Sequence, residues 1–425
     1  MLKPGKQCIA TFLLLVGLQG MALAGETASE LDQSLFGGGG GYIHPYLTLA
    51  GMYDDNVFNS ARDTTSDSAL VISPGIWLAV PGTREKLLNL ESDNLTPGGL
   101  RMVQDRGREF KRFQGYLHYG ADLTRYRDVK DNDTDDQRLE GYFQFNLKGN
   151  LSVELLDIYL DDHNGWNNGI SDVLSEYKSN LAGGRLTYTL NRFRLRGDYS
   201  NYSVGYDDLA NQDRDRRDNK FAGYLYYKLS PKSSAFVEYD YLDISYDSSP
   251  YLDSREHHLY GGLRWRLTGK TMGQIKLGYL TKDFSDERLE NSGDFVLQGW
   301  VDYDLSAKTR LKLLASRTIE EPDVYSLESV TSNRVSLAYA HKLSSKISAN
   351  ARAGYSYRDY AGVYRSAEAE GTRQDDEYRL RFYLDYDIQD WLGLRASYDY
   401  FDRDSSLSAL SYTDNRLLLS ITLRI

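Results

Sequence analysis

The last stretch of the chain, residues 414–425 (DNRLLLSITLRI), alternates in character. Leu417, Leu419, Ile421, Leu423 and Ile425 fall on one face. Arg416, Ser420, Thr422 and Arg424 fall on the other, with Leu418 the one exception. A period of two is that of a β-strand. A strand with one apolar and one polar face fits a soluble core, or an outer-membrane barrel whose apolar face meets lipid and whose polar face meets a lumen. The pattern recurs along nearly the whole chain. Early examples are Leu47, Leu49, Gly51 and Tyr53, then Leu117, Tyr119, Ala121 and Leu123. Later ones are Phe193, Leu195, Gly197 and Tyr199, then Leu259, Gly261, Leu263 and Trp265, then Tyr378, Leu380, Phe382, Leu384 and Tyr386. Segments of this kind add up to about 18 strands, an even number as single-chain bacterial barrels have. The segment from Leu151 to Asp161 alternates poorly.

The connections fall into two classes. Short ones include Lys148-Gly149-Asn150, Asn191-Arg192, Ser306-Ala307-Lys308 and Gln389-Asp390. Long, Asp-rich ones span residues 127–136, 207–218, 247–255, 283–291, 361–376 and 402–410. The two classes alternate strictly after the third strand. Outer-membrane barrels have short periplasmic turns and longer external loops. The expected fold is therefore all-β, a transmembrane antiparallel β-barrel of about 18 strands, with both termini periplasmic and acidic loops outside. One connection breaks the rule. Residues 81–112 (PGTREKLLNLESDNLTPGGLRMVQDRGREFKR) lie on the short-turn side yet are long. Such an insert is a plug folded into the lumen, a segment docking a periplasmic partner, or an elaboration without either role.

Composition adds the compartment. Residues 1–24 carry Lys3 and Lys6, an apolar run and an Ala22-Leu23-Ala24 cleavage site, which together read as a signal peptide. The single cysteine, Cys8, lies within it. Residues 25–41 end in five glycines and read as a flexible periplasmic tail, leaving residues 42–425 for the barrel. The formal net charge is −11, which argues against a nucleic-acid partner. Tyrosine is abundant, 35 residues against 14 Phe, and its amphipathic ring suits the membrane interface.

The polar face carries the candidate chemistry. Its charged positions are Arg194, Arg196, Asp198, Glu238, Asp240, Arg264, Arg266, Lys276, Lys312, Arg352, Arg379, Arg381, Asp385, Arg395 and Asp399. Interspersed signs on a lumen wall hold water and offer hydrogen bonds to a polar solute, or pair with each other and only hold the barrel open. Tyr116, Tyr224, Tyr226 and Trp300 also turn inward and would stack on sugar rings or pack in the lumen. The acidic runs 131–136 and 213–218 match no calcium-loop pattern and read as solvated surface. No metal site or cofactor is expected. Neither a G-x-S-x-G elbow nor an H-E-x-x-H pair occurs, so no catalysis is expected, with His118 the inward histidine that would test the point.

Tyr53, Asp55, Asn56 and Val57, followed by Ser73-Pro74-Gly75 in the second strand, resemble the start of a known family. This is the outer-membrane β-barrel porin family found beside exopolysaccharide operons, the EpsL-like group. The resemblance implies passage of a secreted exopolysaccharide or capsular polysaccharide across the outer membrane, with periplasmic export proteins as partners. The alternative is a general or substrate-selective diffusion porin for small solutes, and an enzyme built on the barrel is a third. The insert at 81–112 and the terminal Ile425, where many such barrels end in Phe, depart from the pattern.

Overall fold

The computed structural model describes residues 41–82, 92–100, 112–164, 174–267, 269–324, 326–366 and 369–424. The leader, the tail up to residue 40 and most of the 81–112 insert lie outside them. The strands are β1 (Ile43–Asp54), β2 (Asp67–Val80), β3 (Phe113–Tyr126), β4 (Thr134–Leu147), β5 (Leu151–Asn164), β6 (Ser175–Leu190), β7 (Phe193–Tyr206), β8 (Arg216–Ser230), β9 (Ser233–Tyr246) and β10 (Ser254–Arg266). They continue as β11 (Thr271–Phe284), β12 (Ser292–Ser306), β13 (Thr309–Glu320), β14 (Leu327–Lys342), β15 (Ile347–Gly362), β16 (Tyr364–Arg365), β17 (Glu370–Gly371), β18 (Gln374–Gln389), β19 (Leu392–Ser405) and β20 (Tyr412–Arg424). β16 and β17 form a two-residue hairpin of their own, and the other 18 make one sheet. Each of those 18 pairs antiparallel with the next, and the terminal alternating strand closes the ring on the first, from Tyr46 opposite Arg424 to Asp54 opposite Arg416. Closure removes the sheet edges, so every strand finds its backbone partners within the wall, as a structure in lipid requires.

The two faces sort as the alternation predicts. On β20 the outward Leu419 is 68% exposed, whereas the inward Ser420 and Thr422 are 4% and 3% exposed. Aromatic pairs mark the outer face near the short turns, Phe113 with Phe145 at 5.0 Å and Phe193 with Tyr227 at 5.2 Å between ring centres. A second tier lies further along the same strands, with Tyr199 against Phe221 at 4.8 Å. These tiers are the girdles expected at membrane interfaces. A strand of 14 residues spans roughly 46 Å, or about 35 Å along the axis of a barrel tilted by about 40°, while the apolar band needs only about 25 Å. The surplus emerges at the long-loop end. There the outer face turns charged, and Arg125 meets Asp135 at 2.5 Å across β3 and β4.

Two expectations change, and the weakly alternating segment proves to be one of the expected strands. The acidic runs 131–136 and 213–218 are not wholly solvated loop: β4 begins at Thr134 and β8 at Arg216, and Asp136 and Asp218 point inward and are buried. The segment from Leu151 to Asp161 is a full strand, β5, despite its weak alternation. The lumen is not uniformly hydrated. On the β1–β7 side its inner wall is an apolar, largely aromatic cluster that includes Trp77, Tyr116, Tyr142, Leu181 and Tyr202.

Candidate functional site in the barrel lumen

The described part of the insert, residues 92–100, folds as a tight loop closed by a bridge between Ser92 and Leu100. Asp93 caps it from within. Its carboxylate accepts from the Leu95 N–H at 3.2 Å and the Thr96 hydroxyl at 2.8 Å, and the Gly99 N–H donates to the Thr96 carbonyl at 2.8 Å. Gly98 and Gly99 have φ of +76° and +69°, the left-handed region where glycine carries no penalty. Gly99 also lies so close to the Tyr202 ring that no side chain fits there.

This loop sits against the inner wall near the long-loop end. The Gly98 N–H donates to Asp218 at 2.8 Å, Tyr202 donates to Asn94 at 2.7 Å, and the Glu321 N–H donates to the Leu95 carbonyl at 2.8 Å. Leu100 packs on the aromatic cluster. The loop thus leaves the wall between β2 and β3, at the short-turn end, and reaches β7, β8 and the β13–β14 connection at the other end. The Asx-type loop chemistry is visible in DNLTPGG, but nothing local in that string names the partners.

The polar candidates all point into the lumen, and most are paired. Lys276 donates to Glu238 at 2.5 Å, and Lys220 meets Asp240 at 2.8 Å. Arg185 and Arg196 share Asp198. On the opposite wall Arg381 donates to Asp399 at 2.5 Å and Arg395 to Asp385 at 2.6 Å. Lys312 stands opposite Asp302 in the register, and Arg352 opposite Arg381. Arg379 lies over the Phe401 ring at 5.4 Å. Arg194 and Arg196 lie over Tyr226 and Tyr224 at 5.7 and 4.2 Å, cation–π contacts that join two of the inward aromatics to the charge wall. Arg264 and Arg266 stand near the short turns. Of the other two aromatics, Tyr116 stacks on Trp77 at 4.6 Å, and Trp300 is buried in the lumen wall. The His118 ring is fully buried, hydrogen-bonded to the Tyr46 hydroxyl at 2.9 Å.

A second set of buried charges lies at the long-loop end, where, Arg416 apart, no apolar alternation marks them. Lys282 lies between Glu256 at 3.1 Å and Glu321 at 2.5 Å. Arg373 meets Asp375 at 2.7 Å, Arg403 meets Glu377 at 3.1 Å, and Arg416 meets Asp54 and Asp414 at 2.7 and 2.8 Å. The available signal is charge at period two, as in Asp375, Glu377, Arg379 and Arg381. Arg416 thereby lies between two members of the Asp54, Asp55 and Asp414 group, one of two clusters among the described residues whose donor atoms approach closely enough for a metal. In the long loops the carboxyls are uneven. Burial pushes the Asp213 carboxyl up, while hydrogen bonds from Arg288 hold Asp286 down at about 2.

Two cavities lined by described residues lie between the wall residues. One of about 250 Å³ is surrounded by the paired charges of β6–β14, with Thr96, Pro97 and Leu100 of the insert loop on its border. The other, of about 900 Å³, opens at the short-turn end beneath β4–β11.

A closed 18-stranded antiparallel barrel with a lipid-compatible outer face and a polar, water-accessible interior is an outer-membrane β-barrel of the porin class. Residues 108–425 match the family described as "Putative beta-barrel porin 2", and the chain belongs to that family. Solved structures similar to it include several proteins of Pseudomonas aeruginosa. OpdO is 14% identical over 90% of this chain and 98% of that one, with a TM-score of 0.44. OccK2 (OpdF) is 11% identical over 91% and 99%, with a TM-score of 0.47, and OpdK with vanillate is 10% identical over 91% and 100%, at 0.44. Among curated proteins none matches.

Proposed function

We propose that the chain is a substrate-selective diffusion porin for small polar solutes. The observation that carries this reading is the occupied lumen. The loop at residues 92–100 is bonded to Asp218, Tyr202 and Glu321 on the inner wall, and two spaces lined by described residues, one of them bordered by the loop, are about 250 and 900 Å³. Pockets of this size suit a small molecule and not a polymer chain in transit. The wall of alternating, mutually paired charges keeps such a path wet while fixing its width. With the long loops outward, solute would enter past the acidic rim and leave through the larger cavity toward the periplasm.

Export of a polysaccharide is the second reading, favoured by one feature: the insert begins at the short-turn end, where a periplasmic partner would reach it. That reading requires the 92–100 loop to leave the wall. Liposomes carrying the full chain separate the two. Swelling rates with glucose, maltose and maltohexaose should fall steeply with size for the diffusion porin. Equal permeation of the hexamer, or no permeation of glucose, would overturn it.

A further inference from the structure

The charge of the two cavities differs. In the smaller one the carboxylates of Asp198, Glu238, Asp240 and Glu320 each have a cationic partner. The larger cavity at the short-turn end is lined by nine Lys and Arg side chains and, among the described residues, one carboxylate, Glu154. Glu154 is already engaged, by Arg185 at 3.2 Å and by the Tyr142 hydroxyl at 3.0 Å. Lys148, Arg192, Arg194 and Lys228 have no ion-pair partner among the described residues. Arg194 instead lies over the Tyr226 ring. Arg185 and Arg196 are paired with Asp198, and Arg264 and Arg266 have partners of their own, so the surplus is carried by Lys148, Arg192, Arg194 and Lys228; in a protein whose net charge is −11 it is local and not a reflection of composition.

We propose that this vestibule is a binding site for small organic carboxylates, sugar acids among them, and makes the channel anion-selective. The proposal rests on the diffusion-porin reading and adds its substrate class. A cleft walled by protein and lined by one sign of charge raises the local concentration of the opposite ion. Guanidinium groups bind a carboxylate through paired hydrogen bonds, which a chloride-sized point charge cannot use as fully. The Tyr226 ring beside Arg194 offers an apolar surface to the carbon face of a polyhydroxy acid. The cavity volume is within the range of small-molecule sites.

The test compares gluconate with glucose, which match in size and differ in charge. In liposomes containing the full chain, gluconate should enter about two- to fivefold faster than glucose at low ionic strength, with the ratio shrinking as salt is added. The Arg194→Gln/Lys228→Gln variant, checked for folding by its strand circular dichroism, should bring the ratio close to one. A ratio of one in the unaltered protein, or a ratio unmoved by the variant, overturns the anion site and leaves the porin reading standing. If neither solute enters, the porin reading fails, and saturation-transfer NMR of gluconate with the detergent-solubilised chain decides the site alone. Saturation transfer lost in the variant supports it, and no transfer in the unaltered chain overturns it.

Discussion

At the scale of single residues, the energetics are concentrated in buried charges that have been given partners. Lys282 is fully buried and neutralised by Glu256 and Glu321, while Glu321 also accepts from the Tyr246 hydroxyl at 2.6 Å. Removing the lysine strands two carboxylates away from water, and breaking a buried pair from one side costs about 3–5 kcal/mol. The Lys282→Met barrel should therefore unfold at markedly lower urea, read from the shift between folded and unfolded gel mobility. Lys282→Met/Glu321→Gln should recover part of the loss, since Glu256 keeps His258 at 2.8 Å. Unchanged unfolding in the single variant would mean that water reaches this triad. Such residues were only partly legible in the sequence. Glu238, Asp240 and Lys276 stand in strands whose outward face is plainly apolar, so parity places them in the lumen. Arg416 is placed inward by the terminal strand's alternation, but Lys282 and Arg373 stand where the outer face has left the membrane. There polar residues occupy both faces, and hydrophobic alternation carries no information.

At the scale of elements, the strands follow from alternation and the reversals from turn chemistry. Gly149 and Asn150 both adopt positive φ in the turn after β4, the conformation that Gly and Asn tolerate best. The strand ends at the long-loop side were the illegible part, because Asp136 and Asp218 belong to strands that look like acidic loop. The insert was legible as an anomaly of length and not as a structure. Its position depends on contacts with Asp218, Tyr202 and Glu321, all more than a hundred residues away in the chain. Gly99 is the point where that docking is most easily broken. A valine there meets both a clash with Tyr202 and a backbone conformation that β-branched residues avoid. The Gly99→Val protein should fold, since the ring of strands does not depend on the loop, and should conduct several-fold more current in planar bilayers. Conductance equal to that of the unaltered barrel would mean that the loop does not narrow the path.

At the scale of the whole molecule, the barrel has polar ends of opposite sign joined by a path of paired charges. The long-loop end is rich in Asp, and the short-turn end holds the cationic vestibule. The position of the 92–100 loop decides between a narrow diffusion path and a wide channel that must unplug, and it can be fixed covalently. A β-carbon built on Gly98 lies 3.4 Å from that of Lys220, close to the separation of about 3.8 Å found across disulfides. Cys8 is the only native cysteine and lies within the expected leader, so a Gly98→Cys/Lys220→Cys protein carries an unambiguous pair. The measurement is its conductance in planar bilayers, oxidised and then reduced. The cross-link should form, and the oxidised barrel should conduct small ions as well as the reduced one, because solute passes beside the docked loop. An oxidised barrel that is silent until reductant is added would contradict it.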